Sequence, residues 1–134
     1  MEWRRGMRLL LDTHACIWMI IDSKRLSQKA KRAIEDFSNQ VYVSAATGWE
    51  ITTKYRIGKL PEVEPFVHDF AGVLKRMSIQ DLPISMDHAT RSGLLTADHK
   101  DPFDRMLIAQ SLAEGLSLVS NEKVFDAFHV HRIW

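Results

Sequence analysis

Arg8-Leu9-Leu10-Leu11-Asp12 constrains the fold more than any other stretch of this 134-residue chain. Its three leucines show no apolar–polar alternation, so a strand built from them buries both faces. That is the habit of parallel sheets covered by helices on each side. Asp12 then falls at the carboxyl end of the strand, the edge where open α/β sheets bind ligands. Val41-Tyr42-Val43, residues 79–84 and Leu116-Ser117-Leu118-Val119-Ser120 read as further short strands, with an edge strand at 130–134.

Helical sequence fills the gaps between these runs. Residues 13–21 read as a buried helix or turn. From Ser27, Ala30, Ala33, Ile34 and Phe37 line one side of an amphipathic helix, and charged residues line the other. Ser44 is positioned to cap a helix that Gly58 ends. A Thr47-Gly48-Trp49-Glu50 capping box is the alternative start. Pro61 and Pro65 punctuate a loop before a third amphipathic helix over 66–77, and Ser85 caps one running to Leu95. Asp101-Pro102 opens the last long helix, with Asp101 as N-cap and proline in the first turn, and Gly115 closes it. A short helical turn spans 124–128. Strands alternating with helices predict a three-layer α/β/α sandwich with a mainly parallel central sheet, and one domain over residues 1–134. Residues 1–6 read as a short disordered extension.

Composition narrows the function. The net charge of +1 argues against a molecule-wide field for nucleic acid, so any basic surface is local. The single cysteine, Cys16, excludes an intramolecular disulfide and suits a reducing cytoplasm. No apolar run approaches the roughly 18 residues of a membrane span, and no signal-peptide cleavage pattern follows the basic start.

The acids carry the chemistry. Asp12 and Glu122 follow buried strands, and Glu50 and Asp104 sit in early turns of helices that start from the same sheet edge. Four clustered carboxylates repel one another unless a cation compensates them. Oxygen donors without thiolate suit Mg2+ or Mn2+, which can activate water and neutralise a leaving oxygen in phosphodiester chemistry.

Leu9-Leu10-Leu11-Asp12-Thr13-His14-Ala15, Ser44-Ala45-Ala46-Thr47-Gly48-Trp49-Glu50-Ile51, His99-Lys100-Asp101-Pro102-Phe103-Asp104-Arg105-Met106-Leu107-Ile108-Ala109-Gln110 and Leu118-Val119-Ser120-Asn121-Glu122 together resemble the PIN-domain fold. Within it they resemble the VapC-type toxins of toxin–antitoxin pairs. The resemblance implies a Mg2+- or Mn2+-dependent endoribonuclease that hydrolyses RNA. Asp12, Glu50 and Asp104 match the three core acids, and Glu122 stands where the family more often has Asp. Asp101 is the rival to Asp104, and Thr13 and Ser120 are the hydrogen-bonding neighbours that orient the acids. The family also implies a homodimer and a small antitoxin protein whose peptide covers the acidic pocket.

Arg105 has two readings, a substrate-phosphate contact or a pair with Asp101, and the pair is preferred. Lys24, Arg25, Lys54, Arg56 and Lys59 are candidate RNA-backbone contacts, or solvated charges. Trp18 and Trp49 can stack on bases, but their apolar surroundings place them in the core instead. His129 and His131 suggest a zinc pair that no further ligand completes. Cys16 reads as a small buried hydrophobe rather than a nucleophile. An aspartyl phosphatase using Asp12 would place a second Asp where His14 stands. A binding module that holds RNA or protein without cutting is the non-enzymatic alternative.

Overall fold

The computed structural model describes residues 6–134. Its elements run β1 (Arg8–Leu11), α1 (Thr13–Ile20), α2 (Gln28–Glu35), β2 (Gln40–Ser44), α3 (Ala45–Arg56), α4 (Phe70–Arg76), β3 (Gln80–Leu82), α5 (Met86–Leu94), α6 (Pro102–Glu114), β4 (Ser117–Val119) and β5 (Arg132–Ile133). Short 3-10 turns cover Pro61–Val63, Val67–Asp69 and Lys123–Phe128. The strands form one sheet in the order β3-β2-β1-β4-β5, and every neighbouring pair is parallel. The sequence predicts a mainly parallel sheet; among the described residues it is parallel throughout.

The leucines of β1 divide the core between two layers. Leu9 and Leu11 pack with Cys16, Ala30, Ile34 and Leu74 on the face covered by α1, α2 and α4. Leu10 points the other way, into Leu107, Ile108, Leu118 and Phe125 under α6. Successive strand side chains alternate faces, so an uninterrupted apolar run is what a sheet covered on both sides requires. A satellite cluster of Ile17, Ile51, Leu60, Val63, Phe66 and Val67 joins α1 and α3 to the loop after α3.

Strand order reverses between β1 and β4. The connections from β1 walk outward through β2 to β3, and the next one returns across the sheet to β4. Such a switch point opens a crevice at the strands' carboxyl ends. Asp12 ends β1 there and Ser120 ends β4, with the Asp12 N–H donating to the Val119 carbonyl at 3.0 Å.

Three expectations are corrected. Phe37 is fully exposed, because α2 stops at Glu35 and Asp36 caps it in extended geometry. The helix expected over 66–77 begins only at Phe70, since Phe66 and Val67 turn sideways into the satellite cluster. The strand expected over 79–84 is paired only at Gln80–Leu82. The expected extension falls mostly outside the described residues. Its last residue, Gly6, lies against the 38–39 backbone so closely that a Cβ would fall 1.3 Å from the Ser38 carbonyl oxygen. Among the described residues, no helix is long and apolar enough to cross a membrane.

Candidate active site

Local sequence sets the start of each helix that brings an acid to the crevice. Asp12 caps α1, its Oδ1 accepting from the Ala15 N–H at 2.8 Å. Ser44, not Thr47, caps α3, its hydroxyl accepting from the Ala46 N–H at 3.0 Å. Glu50 is therefore released from a capping box and reaches the crevice from the second turn. Asp101 caps α6 through Oδ1, accepting from Phe103 N at 2.9 Å and Asp104 N at 3.1 Å. That leaves Asp104 free in the first turn.

Asp12, Thr13, His14, Glu50, Lys54, Asp101, Asp104 and Glu122 line one pocket of about 140 Å³. The acids converge there, and Asp12, Glu50, Asp101 and Asp104 each accept from or pair with a protein partner. Thr13 Oγ1 donates to Glu50 Oε1 at 2.5 Å, and Lys54 Nζ donates to Glu50 Oε2 at 2.5 Å. His99 Nε2 lies 2.8 Å from Asp104 Oδ2. Among the described residues, no three acidic, His or Cys side chains close into a ready-made metal cage.

Two opposing effects act on Asp12. The N-terminus of α1 favours its charge by up to about 2 kcal/mol. Burial disfavours it, because only 4% of the residue is exposed. Burial wins. It pushes the carboxyl up to about 6, helped by the Glu122 charge and resisted by the Ser120 hydroxyl, the Ala15 N–H and His14. Asp104 is also raised, by burial first and by the charges of Asp101 and Glu122, with His99 resisting. Partial burial pulls the Lys54 ammonium down. Its bond to Glu50 and the charges of Glu50, Asp101 and Asp104 outweigh that, and hold it above its ordinary range.

This is a hard, oxygen-rich donor set without thiolate, and it fits Mg2+ or Mn2+. Magnesium is commonly held by only one or two carboxylates plus water, so an open arrangement suits it. Asp12 and Asp104 are the acids whose charge most needs a compensating cation.

Other expected residues are placed differently. Arg105 pairs with neither Asp101 nor an open surface. Its guanidinium donates to the carbonyls of Ser92, Gly93, Leu95, Ala97 and His99 at 2.7–3.3 Å. Its fixed donors meet the last-turn and C-cap carbonyls of α5 at Ser92, Gly93 and Leu95 and two carbonyls of the loop beyond, at Ala97 and His99. Arg105 therefore clamps the 95–101 loop and so positions His99. Ser120 Oγ accepts from the Glu122 N–H at 3.0 Å, shaping the turn that carries Glu122 into the pocket. His131 Nδ1 sits 2.8 Å from Ser117 Oγ, away from any metal group. Cys16 is fully buried, and burial drives its thiol far up, which removes it as a nucleophile. Trp18 packs against His14 and Trp134. Trp49 is 65% exposed, against the expectation of core packing.

His99 was missing from the sequence-derived site. It lies in a loop with no periodicity to orient it, five residues before Asp104. Its place just ahead of the Asp101-Pro102 helix start was the one available signal.

Similarity to known proteins agrees with this geometry. A family model described as PIN domain matches residues 9–129. Ribonuclease VapC16 of Mycobacterium tuberculosis is 36% identical over 61 residues, 46% of this chain. That match spans only 42% of the relative's length. VapBC2 from Rickettsia felis, solved with a promoter DNA fragment, superposes with a TM-score of 0.67 at 15% identity, over 94% of this chain and 97% of that one. Mycobacterium tuberculosis VapC20, described as a sarcin-ricin loop cleaving toxin, gives 0.65 at 15% identity, over 91% and 95%. At such identities the structural likeness is one of fold. With the parallel sheet, the switch-point crevice and a family match across nearly the whole chain all in agreement, this chain belongs to the PIN-domain family.

Proposed function

We propose that this protein is a Mg2+- or Mn2+-dependent endoribonuclease and the toxin component of a toxin–antitoxin pair. The observation that carries the reading is the single pocket lined by Asp12, Glu50, Asp101, Asp104 and Glu122, drawn from four separate parts of the chain. The names of its relatives, a ribonuclease and a sarcin-ricin loop cleaving toxin, point the same way.

Asp12 and Asp104 would hold the ion, with Glu50 and Glu122 completing the negative pocket. When bound, the ion supplies a water of lowered pKa and neutralises charge at the phosphate. The chain's own residues prepare that site. Thr13 fixes one Glu50 oxygen and Lys54 the other, so Glu50 faces the pocket in one orientation. His99 anchors one oxygen of Asp104, leaving the other free. Asp101 is spent on capping α6 and positions Asp104. An antitoxin peptide would occupy this pocket with a cationic side chain, since only a cation relieves the clustered acids. Homodimer assembly belongs to the same proposal.

Purified protein with structured RNA and added Mn2+ tests it. Cleavage should begin with the metal, stop with EDTA, and vanish in Asp12→Asn and Asp104→Asn while circular dichroism stays native. Cleavage indifferent to EDTA would overturn the metal mechanism. RNA affinity without cleavage under either metal would make the protein a binding module.

A further inference from the structure

Trp49 and Phe103 have no role in the site as described. Trp49 immediately precedes Glu50 in α3, and Phe103 immediately precedes Asp104 in α6. Two acids of the pocket thus each carry an aromatic neighbour, and the rings bridge the same two helices. Their centroids lie 5.3 Å apart with planes at 72°. An edge-to-face pair covers only one of the four ring faces. Trp49 is 65% exposed and Phe103 half-buried, while Thr47, Glu50 and Ile51 around Trp49 are buried. The exposed indole does not stand alone: its contact with Phe103 joins two aromatic rings across α3 and α6, and contiguous exposed apolar groups mark interaction surfaces.

We propose that Trp49, braced by Phe103, is a stacking platform for an unpaired base of the RNA whose phosphodiester enters the acid pocket. The inference rests on the nuclease reading above and adds a substrate-positioning element to it. Aromatic faces take bases regardless of identity, and proteins that select RNA mostly read unstacked bases in loops and single strands. Lys54, one helical turn beyond Glu50 and ion-paired to it, keeps its ammonium in the acid pocket, where the phosphodiester enters. A protein partner is the competing occupant. RNA is favoured because the rings are tied in sequence and in space to the two helices that carry Glu50 and Asp104.

A single-stranded RNA oligonucleotide carrying 2-aminopurine reports stacking directly. Bound to the Asp12→Asn protein in Mg2+, its fluorescence should be quenched. Adding Trp49→Ala should remove the quench and weaken binding about 10- to 100-fold. Trp49→Phe should restore most of it, and Phe103→Leu should fall between. In cleavage by protein with Asp12 intact, the Trp49→Ala loss should fall on KM rather than kcat. Quenching and affinity unchanged by Trp49→Ala would overturn the proposal. So would a change of oligomeric state by light scattering with RNA binding intact, which would assign the rings to a protein interface. Cleavage by the unsubstituted protein with no quench overturns stacking alone. A quench lost in Trp49→Ala, in a protein that never cleaves, overturns the nuclease reading alone.

Discussion

Asp12 and Asp104 are both carboxylates at helix starts, but they are held in opposite ways. Asp12 caps α1 itself, ends a buried strand, and is almost wholly removed from water. Asp104 leaves the capping of α6 to Asp101, keeps about a fifth of its side chain exposed, and leans on a histidine from a loop. The first acid is fixed by the sheet, the second by a loop that Arg105 ties down. Strand-borne positioning is rigid and expensive in desolvation. Loop-borne positioning is cheaper and depends on more distant residues. The two regions should therefore respond differently to the same change.

The largest effect should be shared. Asp12→Asn and Asp104→Asn are each expected to lower RNA cleavage on the order of 10³-fold or more, and the double variant little further. Initial rates with Mn2+ at saturating RNA check this. Strictly multiplicative losses would mean that the two acids do not act as a unit.

Stability should separate them. The Asp12 carboxyl stands near 6 in the folded protein against 3.8 for the free group. The folded state then binds more protons than the unfolded one between those values, so metal-free stability falls as pH rises through that window. Above it the full penalty applies, about 3 kcal/mol. Asp12→Asn removes the charge and keeps an N-cap residue. It should raise the melting temperature of the metal-free protein at pH 8 by several degrees, with the gain vanishing below about pH 4. Adding Mg2+ should stabilise the unsubstituted protein and not the variant. Asp104→Asn should shift stability the same way but less, because water still reaches that side chain. Calorimetry across pH with and without Mg2+ reads both, and a destabilising Asp12→Asn at pH 8 would contradict the burial argument.

Next in size are the supporting residues. His99→Ala should lower activity about 10- to 100-fold through Asp104, and Thr13→Val by a similar factor through Glu50. Only the first should be matched by damage to the loop. Arg105→Ala should cost about 2 kcal/mol, as carbonyls lose charged donors, and should lower cleavage in step with His99→Ala. Arg105→Lys should rescue little, since one ammonium cannot reach five carbonyls. Hydrogen exchange of residues 95–101 checks whether the loop loosens. Equal protection in Arg105→Ala would remove the clamp from the account. Smallest is Lys54→Met. A partly exposed i,i+4 ion pair contributes less than about 1 kcal/mol, so stability should barely move.

What the chain states locally was legible in order: leucine runs gave buried strands, Ser27, Ser44, Ser85 and Asp101 gave helix starts, and Gly58 and Gly115 gave stops. These depend on neighbours a few residues away. So did Asp12 at a strand end and Asp104 in the first turn of the helix that Asp101 and Pro102 open. Glu50 stayed ambiguous because two caps competed within one short stretch; the Ser44 cap released it, and its contact with Thr13, 37 residues away in the chain, fixed where it points. Arg105, His99 and Trp49 were misplaced or missed for one reason. A long polar or aromatic side chain has no preferred partner until the fold supplies one. Local sequence therefore determined the elements and the edge at which the acids gather. Tertiary structure alone decided which carboxylate is desolvated, which loop is clamped and which ring remains in water, because burial and hydrogen-bond partners are properties of packed neighbours and not of the chain.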